Sequence, residues 1–138
     1  MPKKNSPPKE LSRHEKRDLD IEIGFIERVV QRDPKYVEAW QVLGDDYTRR
    51  GRVVEGLQVD ERLAQLRPED PLVHYNLACS YSMTGQFEQA VDSLERALNL
   101  GYRDFKWLAR DPDLENLRLH QLYRKIRAKL RTLRIKVR

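Results

Sequence analysis

The chain has 138 residues, 36% of them charged and 8% aromatic, with one cysteine and a formal net charge of +5. That length suits one domain with a modest core, and a lone cysteine, Cys79, excludes an internal disulfide and fits a reducing compartment. No apolar run approaches the ~20 residues that cross a bilayer, and the charged start MPKKNSPPKE has no apolar stretch of a secretory signal behind it, so a cytoplasmic protein is expected.

The charge is split. Residues 118–138 carry nine Lys/Arg and no Asp/Glu, residues 1–17 carry six basic and two acidic residues, and residues 18–117 have a net charge of −8. An acidic body with basic ends suggests an anionic partner or self-association between the basic C-terminal helix and the acidic body of another copy.

Residues 1–11 read as a disordered basic tail, proline-rich at its start. Ser12 and Glu15 have capping-box spacing. Leu19, Ile23, Ile26 and Val30 then follow on one helical face. Asp33-Pro34 ends this first helix, because the residue before proline avoids the α region. A capping helix over 12–33 is expected.

The next two segments, 37–70 and 71–104, align residue for residue. Trp40 pairs with His74, Leu43 with Leu77, Gly44 with Ala78 and Tyr47 with Tyr81. Gly51 pairs with Gly85, Gly56 with Ala90 and Leu66 with Leu100. Each segment reads as two amphipathic helices joined at a glycine turn. Small residues at 44, 56, 78 and 90 mark where helices approach closely, with larger residues filling the space around them. A helix pair of this kind cannot bury its apolar face alone, so repeats stack.

This period and these small positions resemble the tetratricopeptide repeat. Tyr102 replaces the proline found at Pro34 and Pro68, and Asp60 and Leu63 stand where the family usually has an aromatic and an alanine. The stretch LGYRDFKWLARDPDLENL, 100–117, resembles the closing segment that follows the last repeat in bacterial proteins of this kind. Phe105, Trp107 and Leu108 begin a short third first-helix, and Asp111-Pro112 starts a new turn or helix. From Leu119 the apolar positions 119, 122, 126, 130, 133 and 137 predict one basic amphipathic helix. The resemblance implies an all-α, right-handed superhelical stack of antiparallel helix pairs, closed by N- and C-terminal capping helices. A partial third repeat and the basic capping helix would fill 105–133, leaving 134–138 as a basic end.

In this family the first helix of each repeat lines a concave groove that meets a peptide. Carried onto this sequence, the groove residues are Gln41, Asp45 and Arg49, then Tyr75, Asn76, Cys79 and Met83, then Lys106 and Arg110. Some members hold a chaperone's C-terminal carboxylate with five residues. Asn76, Lys106 and Arg110 match three of those places, while Gln41 and Asp45 depart from the other two. Lys106 and Arg110 lie four apart, so both reach one anionic group. A non-enzymatic adaptor that binds a protein segment, acidic at one end, is the leading expectation.

The basic stretch offers Arg124, Arg127, Arg131 and Arg134, whose alternatives are nucleic acid, a ribosomal surface or an anionic membrane. The blander role is closure of the apolar end of the stack by Leu119, Leu122 and Ile126. One cysteine and three scattered histidines give no zinc spacing. No phosphate loop, nucleophile elbow or dinucleotide fingerprint occurs, so no catalytic residue, metal or cofactor is expected.

Overall fold

The structure, a computed structural model, describes residues 10–137, with side chains through Arg134. Most of the expected N-terminal tail, Arg138 and the side chains of 135–138 lie outside the described residues.

Helix α1 runs Arg13–Arg32. Its capping box is formed: the Glu15 N–H donates to Ser12 Oγ at 3.1 Å and the Ser12 N–H donates to Glu15 Oε1 at 2.8 Å. These bonds satisfy two of the donors that a helix start leaves open. Leu19, Ile23 and Val30 are buried, and Asp33 breaks from helical geometry with φ −132.

Helices α2 (Val37–Arg50), α3 (Val53–Leu66), α4 (Pro71–Met83) and α5 (Phe87–Asn99) follow. Gly51 and Gly85 take φ +83 and +76, a left-handed conformation that ends one helix and reverses the chain into the next. Asp70 accepts from the Leu72 N–H at 2.9 Å and Pro71 occupies the first helical position, so α4 starts sharply. Each helix packs on the next, from α1 through α5. The result is an all-α stack of antiparallel helix pairs.

The 34-residue period is written into the hydrogen bonds. Trp40 Nε1 donates to the Pro34 carbonyl at 2.8 Å, and His74 Nε2 meets the Pro68 carbonyl at 2.8 Å. Arg62 and Arg96 donate to the same two carbonyls, at 3.2 and 3.3 Å. The Tyr47 hydroxyl donates to Glu27, and the Tyr81 hydroxyl donates to Glu61. Glu27 and Pro34 of the α1 region therefore stand where Glu61 and Pro68 stand one period later. By this pattern α1 is the second helix of a repeat.

The small positions differ in how tightly they are used. A Cβ at Gly44 would lie 3.1 Å from Val59 Cγ1, whereas one at Gly56 would meet Thr48 Oγ1 at 3.9 Å. Ala78 and Ala90 are fully buried. One apolar cluster joins α1, α2 and α3 to Val73, and a second runs from Tyr75 to Leu130. Asp60, unusual at its place, is buried and accepts the Ser80 hydroxyl across the α3–α4 contact. A polar pair there replaces the aromatic of the family pattern.

The C-terminal third departs from one long helix. It holds α6 (Phe105–Leu108), a 3-10 turn (Pro112–Leu114), α7 (Glu115–Arg118), a second 3-10 turn (Gln121–Tyr123) and α8 (Arg124–Val137). The apolar spacing predicted a helix from Leu119, but His120 Nδ1 accepts from the Leu122 N–H at 3.1 Å and starts the turn instead. Leu119 is consequently 81% exposed, and Tyr123 is buried. Leu119 covers nothing; Tyr123, Ile126 and Leu130 close the stack.

Candidate functional site

On α2 the expected groove positions are open. Gln41, Asp45 and Arg49 are exposed, with Val42 beside them. Arg49 lies 3.8 Å from Asp46 Oδ1. Asp46 itself is buried, and its Oδ2 has no hydrogen-bond partner among the described residues. Burial first, and the neighbouring Glu22 carboxylate second, push the Asp46 carboxyl up from the ordinary 3.8 to about 7.

On α4 the picture reverses. Tyr75 and Cys79 are each 1% exposed, so neither offers a surface to a partner. The reason is tertiary. The 3-10 turn at Pro112–Leu114 and α7 fold back onto α4. They bring Asp111, fully buried, against both side chains. The Tyr75 hydroxyl donates to Asp111 Oδ2 at 2.7 Å, and Cys79 Sγ donates to the same oxygen at 3.6 Å. Asp111 Oδ1 accepts from the Asp113 N–H at 3.0 Å, capping the turn. Tyr102 stacks on Tyr75 with ring centroids 4.2 Å apart and planes 7° from parallel. Burial, the nearby Cys79 and the bond to Asp111 hold the Tyr75 phenol far above its usual range, so it stays a donor.

Cys79, Asp111 and Asp113 place one possible ligand atom each within 4.8 Å of one another. Asp111 spends its oxygens on Tyr75, Cys79 and the Asp113 backbone, which makes it a helix-turn cap and an anchor for α4. Local spacing gave no hint of this triad. Asp111-Pro112 signalled the cap, while its side-chain partners lie 36 and 32 residues away.

Asn76 and Met83 sit half-buried along the edge of the covered face. The Asn76 amide oxygen is buried and has no hydrogen-bond partner among the described residues. Lys106 and Arg110 are exposed. The Arg110 N–H donates to the Trp107 carbonyl at 3.0 Å, so the turn of α6 continues far enough to set both cations one turn apart. The Arg110 guanidinium lies 5.9 Å from the Trp107 ring centre.

Along α8, Arg124, Arg127, Arg131 and Arg134 are exposed. Two of them also cover rings: Arg127 over Tyr123 at 5.0 Å and Arg134 over Phe105 at 5.6 Å. Arg127 also donates to the Arg118 carbonyl at 3.1 Å. Lys125 pairs with Glu95 at 3.9 Å. Among the described residues no helix is long and apolar enough to cross a membrane.

Residues 71–104, the span of α4, α5 and the turn after them, match the family model described as tetratricopeptide repeat. A tetratricopeptide repeat is present. Over 78 residues the chain is 38% identical to a chloroplastic protein of Arabidopsis thaliana, covering 54% of this chain and 23% of that one. Over 91 residues it is 35% identical to a peroxisomal targeting signal receptor of Komagataella phaffii, covering 64% of this chain and 16% of the receptor. Over 85 residues it is 32% identical to the human PEX5-related protein, covering 62% and 14%. The chain spans less than a quarter of each of these relatives. They are eukaryotic, and they lend no support to the bacterial type expected of the closing segment.

Proposed function

We propose that this protein is a non-enzymatic adaptor that receives an acid-ended segment of another protein along the α2 face and the rim beyond it. The observation that carries the reading is the exposed cation pair at the end of α6. Asn76, half-buried on α4, is the polar group that would meet the segment's backbone. Lys106 and Arg110, both exposed and one turn apart, supply the cations for a terminal carboxylate. Met83 offers adaptable apolar contact at the edge. The floor is narrower than the family pattern implies, because Tyr75 and Cys79 are covered by the Asp111 turn. On the α2 side the acceptor-rich wall of Gln41 and Asp45 favours the N–H groups of the segment over its carboxylates, with Arg49 at the far end. The relatives include peroxisomal targeting signal receptors, and a receptor for a targeting signal is in keeping with a segment-binding role. A cytoplasmic setting accords with the lone reduced cysteine. We assign α8 to closing the stack, with its arginines spent on rings and solvent.

Fluorescent peptides ending in Asp or Glu, and the same peptides amidated at the C-terminus, test this. Binding to the free acids should weaken at least about fivefold in Lys106→Ala/Arg110→Ala, with a flatter salt dependence. Equal binding of free-acid and amidated peptides, or an unchanged affinity in the double variant, refutes the assignment.

A further inference from the structure

Helix α1 buries Leu19, Ile23 and Val30 against α2. Its opposite side carries Asp18, Ile21, Phe25 and Arg28, spaced three, four and three apart, so they form one stripe along the helix. All four are exposed, Ile21 by 66% and Phe25 by 56%. Two large apolar side chains one turn apart on an open helix face are a candidate contact. The flanking charges say what kind of contact it is.

The stripe is complementary to its own reverse. Laid antiparallel on a second copy, Ile21 meets Phe25, Asp18 meets Arg28, and each of these pairs occurs twice about a two-fold axis. That is the signature of an isologous interface, in which one patch serves both partners. A parallel alignment would instead set Asp18 on Asp18 and Arg28 on Arg28. Gly24 adds an independent observation. It stands mid-helix, where glycine is costly relative to alanine. A Cβ there would meet only the end of the Arg28 side chain, at 4.0 Å. Packing within the chain does not demand this glycine, whereas a Cβ at Gly44 would crowd Val59 Cγ1 at 3.1 Å. Gly24 lies on the flank of the stripe beside Ile21 and Arg28, and its missing side chain lets a second helix come near.

We infer that α1 pairs with α1 of a second copy, antiparallel, through Asp18, Ile21, Phe25 and Arg28. A contact of one helix pair is small by the standard of stable interfaces, so the dimer forms and dissociates with concentration. This contact leaves the α2 face and the Lys106–Arg110 rim free in both copies. It is also distinct from a basic-to-acidic contact between α8 and the body of another chain.

Sedimentation equilibrium of the whole chain from about 10 to 500 μM decides it. The native chain shows a concentration-dependent dimer. Phe25→Glu, a surface change that leaves the fold intact by circular dichroism, weakens it at least about tenfold. Gly24→Ala weakens dimerisation while raising the thermal midpoint of the monomer at low concentration. The charge reversals Asp18→Arg and Arg28→Asp each weaken the dimer, and the two together in one chain restore it, because reversal preserves the antiparallel pairs. A chain that stays monomeric across the range overturns the proposal. A dimer indifferent to Phe25→Glu, or a double reversal no better than the singles, overturns it equally and directs attention to α8.

Discussion

Replacing Asp111 with alanine tests why the third segment covers α4. The side chain is fully buried and accepts from the Tyr75 hydroxyl, from Cys79 Sγ and from the Asp113 N–H. Losing a side-chain cap costs about 1 kcal/mol. Leaving the Tyr75 hydroxyl buried without its acceptor costs about 1–3 kcal/mol more. The thiol, a weak donor, adds little. The sum is about 2–4 kcal/mol, which at ~2.1 cal/mol/K per residue lowers the thermal midpoint of a chain this long by roughly 10 °C. Urea unfolding measures the loss. A double-mutant cycle with Tyr75→Phe assigns it: once the hydroxyl is gone, removing Asp111 should cost about 1–2 kcal/mol less. Loosening of the segment should also speed reaction of the Cys79 thiol with an aromatic disulfide reagent, since Cys79 is 1% exposed. A stability within about 0.5 kcal/mol of the native chain, or strict additivity with Tyr75→Phe, refutes Asp111 as the anchor.

Two further predictions concern the stack itself. Gly44→Leu should destabilise by about 1–3 kcal/mol through overpacking against Val59, while Gly56→Ala should stabilise by about 0.5–1 kcal/mol, because its new Cβ meets Thr48 Oγ1 at an ordinary 3.9 Å; equal effects in urea unfolding would contradict the close approach at Gly44. Asp46 carries a pH prediction. Its folded pKa of about 7 lies above the ordinary 3.8, so the folded chain holds a proton that the unfolded chain has released between those values. The stabilisation is full below about 4 and is lost as pH rises through 7. Asp46→Asn should therefore be more stable than the native chain at pH 8, by about 1–2 kcal/mol after allowing for solvent screening at the exposed Arg49, and the gap should close by pH 4. A gap that is constant with pH would show that Asp46 does not titrate in this window.

Much of the scaffold is readable without coordinates because its determinants are local. The Ser12–Glu15 box, the Asp33-Pro34 stop and the left-handed Gly51 and Gly85 each act within a few residues. The 34-residue period follows from the paired small residues, and it recurs in the Trp40–Pro34 and His74–Pro68 contacts. The site is less legible. Gln41, Asp45 and Arg49 of α2 and Tyr75 and Cys79 of α4 hold comparable places in their repeats, so periodicity treats them alike. Only the folding-back of 111–118 separates an open face from a covered one. The start of α8 escapes the sequence for a related reason. A three-four apolar spacing is the same whether Leu119 is helical or lies before a turn, and the imidazole of His120 decides between them.

The chain's own order of residues determined where helices begin, where they stop and which face of each is apolar, since these depend on groups a turn or so apart. Tertiary structure alone decided what those faces meet. Asp111 reaches Tyr75 and Cys79 over more than thirty positions. Ile21 and Phe25 stay uncovered because no described helix packs on that side of α1. Burial is a property of distant segments brought together, and no local rule contains it.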